Sequence, residues 1–111
     1  MLHTLELRDF AIVDELALEL GPGLNVLTGE TGAGKSIVVD ALELLGGGRA
    51  DTSMIRSGAD SALVQATFTG TPFESASRRL GATGRHAARL DGELVTVAEL
   101  GEAVGGNLRV V

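Results

Sequence analysis

The residues best suited to chemistry in this sequence lie in one glycine-rich stretch, Gly29–Ser36. Its residues, Gly-Glu-Thr-Gly-Ala-Gly-Lys-Ser, fit the phosphate-binding pattern of a glycine, four residues and then Gly-Lys-Ser or Gly-Lys-Thr. Glycines are needed because the backbone must surround a phosphate with inward-pointing N–H groups, and a side chain there would clash or require an unfavourable positive φ. The pattern predicts that one nucleotide-binding loop is formed by Gly29, Glu30, Thr31, Gly32, Ala33, Gly34, Lys35 and Ser36.

Two side chains of this stretch have roles that follow from their chemistry. Lys35 is expected to reach the β and γ phosphates, and Ser36 is expected to offer its hydroxyl to Mg²⁺. Lys35 is the only lysine in the chain, and every other basic residue is arginine apart from the two histidines. Arginine is a planar fork that does not replace a compact ammonium. A ligand site is therefore favoured over a glycine-rich turn that binds nothing.

Lys35 is the predicted catalytic residue of this loop, because its charge would stabilise a transferring phosphoryl group. Hydrolysis also needs a carboxylate that orients the attacking water. Glu30 lies inside the loop, where a side chain facing solvent or a partner is the favoured interpretation. We therefore expect the general base to come from elsewhere.

Composition restricts the class of protein. The 111 residues suit one domain, and a core with three Phe and no Tyr or Trp must be built from aliphatic side chains. A net charge of -6 argues against a domain that grips nucleic acid over its whole face. The chain has no cysteine, and His3 and His86 are too isolated for a metal cluster. The start of the chain has no apolar run long enough for a signal peptide or a membrane span, so we expect a cytoplasmic protein without membrane partners.

Three strands are predicted before the glycine-rich loop. Residues 2–7 are strand-like, and residues 15–20 alternate with leucines on one face. The short link between them predicts an antiparallel pair, because a parallel pair needs a long crossover. Residues 24–28 form a short apolar strand that leads directly into the loop, which is the context that the motif requires.

A helix is predicted to begin at the Gly34–Ser36 end of the loop, where its free N–H groups would face the anion. Gly46–Gly48 should end this helix, and residues 51–57 should form a short helical turn that is capped by Asp51 or Thr52 and stopped by Gly58. The broad apolar stripe of the helix consists of Ile37, Val38, Ala41, Leu42, Leu44 and Leu45.

The remaining chain is predicted to alternate strands and turns. Residues 62–69 alternate as a strand, whereas residues 73–80 suit either a short helix or a strand. Residues 86–95 form a predicted hairpin, because Asp-Gly suits a type I′ turn. Thr96 and Glu99 form a capping box.

The helix that follows this capping box is predicted to end at Gly105-Gly106. Residues 108–111 are expected to begin another buried strand. The predicted apolar side of the helix consists of Val97, Leu100 and Val104.

Two strands precede the strand that leads into the loop, and this layout, together with three local segments, resembles the RecN-like family of SMC-related, ABC-type ATPases. The segments are Leu7–Asp14, Gly23–Ser36 and Gly47–Asp51. The resemblance is close over residues 1–69 and looser over residues 84–100, and residues 70–83 are shorter than the family pattern. It implies an α/β fold of the P-loop NTPase class, in which residues 1–111 form the N-terminal lobe of an ABC/SMC-like ATPase head with a mixed sheet around the phosphate-loop helix.

The resemblance also implies a function. RecN-like proteins act in DNA double-strand break repair and recombination with ATP-driven head dimerisation, and the resemblance implies ATP and Mg²⁺ as cofactors. The expected partners are a second head that supplies a signature motif in trans, the C-terminal lobe of the same protein, and DNA bound through the full-length protein. The coiled coil, signature motif and Walker B acidic pair would follow Val111, and this chain alone is expected to be inactive. Nucleoid association would follow DNA damage.

Other functions stay open at this point. The loop could serve a non-catalytic, nucleotide-gated interaction module, or the head of another SMC-like or RecF-like protein. A P-loop kinase would need an arginine-bearing lid and an acceptor pocket, which residues 46–70 do not clearly provide.

Further residues allow two interpretations each. Arg8, Phe10 and Ile12 are candidates for the adenine platform, although Phe10 and Ile12 suit the core equally well. Arg49 and Arg56 could reach phosphates or a partner, but surface charges are favoured. A local basic run could touch DNA, although a solvated strand face is the preferred interpretation; it consists of Arg78, Arg79, Arg85 and Arg89.

Overall fold

The computed structural model describes residues 2–11, 13–19, 32–48, 50–70 and 72–105, with the side chains of Leu2 and of residues 32–36 outside the described set. These ranges contain six β-strands, two α-helices and one 3₁₀ turn. In chain order they are β1 Leu2–Phe10, β2 Val13–Glu19, α1 Gly32–Leu45, the 3₁₀ turn Thr52–Met54, β3 Ser61–Phe68, β4 Ser75–Gly81, β5 His86–Leu90, β6 Glu93–Val95 and α2 Val97–Gly105.

The six strands form one sheet in the order β2-β1-β3-β4-β5-β6. Every pairing among them is antiparallel. The predicted pairing of the first two strands is confirmed, with Leu7 opposite Leu16. The strands predicted at residues 24–28 and 108–111 lie outside the described residues.

The core lies between one face of this sheet and the two helices. Alternation in β3 places Ala62, Val64, Ala66 and Phe68 on the buried face, as its sequence predicts. The apolar stripe of α1 is also confirmed, since all its members are buried except the half-buried Ile37. Each fully buried leucine or valine contributes about 1.5–3 kcal/mol relative to an exposed one, so this aliphatic layer holds α1 on the sheet.

Residues 75–81 form strand β4, so the segment 73–80, which suited either a short helix or a strand, is mostly a strand. β4 pairs with β3 on one side and β5 on the other. Ala76, Arg78 and Leu80 are buried, whereas Arg79 is exposed. An arginine on the inward face disguises the period of two, so sequence alone leaves the strand ambiguous.

Local turn and capping chemistry follows the sequence closely. Asp91 and Gly92 have φ values of 52° and 84°, as a type I′ turn requires at both central positions. The capping box is confirmed, since Glu99 N–H donates to Thr96 Oγ1 and Thr96 N–H donates to Glu99 Oε1, each at 3.0 Å. Val97 is more exposed than predicted, because α2 is anchored to the core further along; its buried side chains are Leu100 and Val104.

The 3₁₀ turn is shorter than the predicted helical turn over residues 51–57. Asp51 caps it by accepting a hydrogen bond from Ser53 N–H at 2.9 Å. The prediction that Gly58 stops the turn is wrong, because Ile55 is already extended and forms a β-bridge with Phe10.

Candidate nucleotide-binding site

The second half of the glycine-rich stretch forms the first turn of α1. The helix begins at Gly32, two residues before the predicted start at Gly34. The first N–H groups of a helix have no acceptor within the helix, and they lie at its positive end. The first turn of α1 contains no acidic residue. Its backbone therefore suits an anion such as a nucleotide phosphate.

The roles predicted for the remaining site residues rest on the sequence alone. Gly29, Glu30 and Thr31 lie outside the described residues, as do the side chains of Lys35 and Ser36. Phosphate contact by Lys35 and Mg²⁺ contact by Ser36 therefore stay predictions. The structure adds that both residues belong to the helix, as the motif requires.

The other end of α1 closes in a Schellman motif, which confirms the stop predicted at Gly46–Gly48. Gly48 N–H donates to Glu43 O at 2.9 Å, and Gly47 N–H donates to Leu44 O at 3.2 Å. Gly47 has a φ of 94°, the left-handed conformation that this motif needs after a helix. These bonds satisfy carbonyl groups that the helix leaves free.

Helix α2 packs against this end of α1 through a contact between glycines. A Cβ atom on Gly47 would lie 3.0 Å from the Cα of Gly101. A Cβ atom on Gly101 would lie 3.1 Å from the carbonyl oxygen of Gly46. The two backbones therefore approach so closely that a side chain would displace them.

Arg78 also reaches the C-terminal end of α1, which corrects the prediction of a solvated basic run. Its Nη1 donates to Leu44 O at 2.9 Å and to Gly48 O at 3.1 Å. Burial lowers the pKa of its guanidinium from the ordinary value. Arg79, Arg85 and Arg89 are exposed, as predicted. Successive side chains of a strand point to opposite faces, which separates Arg78 from Arg79.

The sequence carried a signal for this inward arginine. Arg78 occupies the position between Ala76 and Leu80, and all three share one face of β4. A strand assignment for residues 75–81 would have placed the guanidinium in the core.

The connection from β1 to β2 is held against the 3₁₀ turn. Asp9 and Ala11 both have a left-handed φ, of 50° and 55°, on either side of Phe10. Arg56 N–H donates to Asp9 O at 2.7 Å, and Ala11 N–H donates to the carbonyl oxygen of Met54. The structure thus brings the predicted adenine segment beside the segment that contains Arg56.

Only one adenine candidate keeps an exposed side chain among the described residues. Phe10 is 1% exposed and belongs to the core. Arg8 is exposed and lies 3.4 Å from Glu6, measured from Nε to Oε1. Arg56 is exposed as well. Ile12 and Arg49 lie outside the described residues.

Neither of the two described helices is long and apolar enough to cross a bilayer. In the same part of the chain, no three acidic or histidine side chains come together as a metal-binding group.

Comparison with known proteins gives one family and one fold. Residues 4–95 match the AAA domain family. The DNA repair protein RecN of Deinococcus radiodurans is 53% identical over 113 aligned positions, which cover 98% of this chain and 20% of the relative.

Solved structures show the same fold at low sequence identity. One belongs to a study of ATP-driven dimerization and DNA stimulated activation of SMC ATPases, with a TM-score of 0.81 and 23% identity over 94% of this chain and 77% of that chain. The recombination mediator protein RecF has a TM-score of 0.80 and 18% identity, over 90% of this chain and 29% of that chain.

These similarities confirm the predicted resemblance and the predicted fold class. The chain spans about one fifth of the length of the RecN relative. The fold is the one that these SMC ATPase and RecF structures share. The chain therefore belongs to the AAA domain family, as a relative of the RecN DNA repair proteins.

Proposed function

We propose that this chain is the ATP-binding half of an ATPase head that acts in DNA double-strand break repair and recombination. The observation that carries the proposal is the sequence Gly29–Ser36, which leads into the first turn of α1. The RecN similarity over 98% of the chain supports the biological setting.

The chain's own residues bind and orient in this proposal. Backbone N–H groups of Gly29–Ser36 hold the phosphates, and the positive end of α1 favours their charge. Lys35 contacts the β and γ phosphates, and Ser36 binds the Mg²⁺ that accompanies ATP. Bound MgATP supplies the γ-phosphoryl group that is transferred to water.

The proposal assigns the other parts of the reaction to partners. A C-terminal lobe of the same protein would bring the general base, and a second, identical head would complete the site in trans. The SMC ATPase with the same fold is described by ATP-driven dimerization, which supports a head dimer. DNA would bind through the full-length protein, in the cytoplasm and on the nucleoid after DNA damage.

Steady-state ATP hydrolysis by the complete protein tests this function. Lys35→Ala should lower kcat by roughly 10²–10³-fold, the range found when a preorganised group that stabilises developing charge is removed. Arg85→Ala is the matched control, because it also removes one positive charge but at an exposed position outside the glycine-rich loop. Unchanged turnover in Lys35→Ala would overturn the proposal.

Two further outcomes have defined meanings. Nucleotide binding without hydrolysis in the complete protein would favour a nucleotide-gated interaction module. The 111-residue chain alone should hydrolyse no ATP, and robust turnover by it would show that the general base lies within these residues.

A further inference from the structure

Arg78 is the one charged side chain that is buried in the described part of the chain, with 2% of its surface exposed. Burying a guanidinium has a large desolvation cost unless hydrogen bonds and opposite charge offset it. No carboxylate contacts Arg78 among the described residues. Its position therefore needs an explanation other than an ion pair.

The C-terminal end of α1 supplies the compensation. The two acceptors of Nη1, Leu44 O and Gly48 O, belong to the last turn of the helix and to the loop directly after it. This end carries the negative pole of the helix dipole and carbonyl groups that lack helical partners. A cation on β4 thus bridges the sheet to the end of the helix.

Stability alone does not account for an arginine here. An apolar side chain of similar volume in place of a buried charged group is often neutral or stabilising. Arg78 Nε is buried and has no hydrogen-bond partner in the described ranges, so the residue leaves part of its bonding capacity unused. Unlike an apolar side chain, the arginine fixes the orientation of the helix end, because two hydrogen bonds from one nitrogen hold that end in place.

The orientation of α1 matters because the predicted phosphate site lies at the N-terminal end of this helix, opposite the end that Arg78 contacts. Its 14 residues span about 20 Å at about 1.5 Å per residue. A tilt of about 3° at the C-terminal end would then move the first turn by about 1 Å. A displacement of about 1 Å can lower a rate by about 10²-fold when reacting groups must be aligned.

We propose that Arg78 is a positioning residue for nucleotide binding, which fixes the C-terminal end of α1 and thereby the orientation of the phosphate-binding first turn. The inference rests on the proposed nucleotide site at Gly29–Ser36. It adds a residue on β4, outside the phosphate loop, that sets how well the loop binds.

The test compares three variants of the complete protein. Arg78→Met removes the hydrogen bonds but fills the space, and Arg78→Lys keeps a cation that can donate to the same carbonyls. Arg79→Met is the matched control, because Arg79 is exposed on the opposite face of the same strand. Each protein is titrated with MgATP for its Kd, and each is unfolded thermally with and without saturating MgATP.

The positioning role predicts a change in affinity that exceeds any change in folding. Arg78→Met should bind MgATP at least ~10-fold more weakly at temperatures where it is fully folded, because a displaced first turn would lose about one hydrogen bond to a charged phosphate. Its thermal shift on adding MgATP should also be smaller than that of the wild type. Arg78→Lys should recover part of the affinity, and Arg79→Met should match the wild type.

The contrary outcomes separate this inference from the proposed function. If the wild type binds MgATP and folded Arg78→Met binds it equally well, Arg78 has only a structural role and the inference is wrong. If Arg78→Met does not fold, Arg78→Lys decides: weaker binding at an unchanged Tm supports positioning, and unchanged affinity overturns it. A wild-type protein that binds no nucleotide would instead overturn the proposed function.

Discussion

Replacing Gly47 with alanine should destabilise this chain by about 2–5 kcal/mol, because two separate costs act at one residue. Gly47 has a φ of 94°, and a non-glycine residue in the left-handed region costs about 1–2 kcal/mol. The new Cβ would also lie 3.0 Å from the Cα of Gly101 on α2. Overpacking of this kind typically costs about 1–3 kcal/mol.

Gly84→Ala provides the matched control for the second cost. Gly84 has nearly the same φ, 91°, but a Cβ there would meet nothing within 4 Å. Its replacement should therefore cost only the conformational term, about 1–2 kcal/mol. The difference between the two variants measures how tightly α2 packs on the end of α1.

Urea unfolding followed by circular dichroism measures both variants against the wild type. The midpoint for Gly47→Ala should fall well below that for Gly84→Ala, with similar slopes for all three proteins. Equal losses in the two variants would refute the close backbone contact between Gly47 and Gly101.

Two further predictions concern the turn between β5 and β6 and the first turn of α2. Asp91→Ala should lower the free energy of unfolding by about 1–3 kcal/mol, because Asp91 Oδ1 accepts hydrogen bonds from Glu74 N–H at 2.8 Å and Ser75 N–H at 3.0 Å. Asp91→Asn keeps an acceptor and should remain close to the wild type in urea unfolding. Equal losses of stability in the two variants would contradict this role of Asp91. Hydrogen bonds from Thr96 lower the pKa of Glu99. The contribution of Glu99 to stability is therefore present above its unfolded-state pKa of about 4.3, and it is lost as the pH falls through the lower folded-state pKa. Glu99→Gln should therefore show a weaker loss of stability than the wild type on acidification below about pH 4.3, and identical pH profiles would contradict the capping box.

Local chemistry made much of the fold predictable. Alternation in residues 62–69, the Asp-Gly turn and the Thr96–Glu99 capping box depend on neighbours within a few residues, and all three are confirmed. Helix α1 also carries the predicted apolar stripe and ends at the predicted glycines, although it begins two residues earlier than predicted.

Features that depend on distant residues escaped prediction. Arg78 is buried because carbonyl groups that precede it by 34 and 30 residues accept its hydrogen bonds. The strand at residues 75–81 exists because β3 and β5 lie on both sides of it. Ile55 ends the 3₁₀ turn early because it bridges to Phe10. Each contact is set by tertiary packing, which overrides local propensity.

The same distinction between local and distant contacts applies to the candidate site. Gly29–Ser36 is predicted from its residue types and spacing alone, since glycines, lysine and serine at these positions meet a local requirement. The support at the far end of α1 comes from β4 and α2, so only the folded chain reveals it.

Equilibrium binding of MgATP to the complete protein, measured by isothermal titration calorimetry for the wild type and Lys35→Ala, tests the central claim most directly. A hydrogen bond to a charged group contributes about 1.5–3 kcal/mol, so the loss of Lys35 should weaken binding by roughly 10- to 150-fold. The account predicts one nucleotide bound per wild-type chain and this loss in the variant. Equal affinities, or no binding by the wild type, would contradict it.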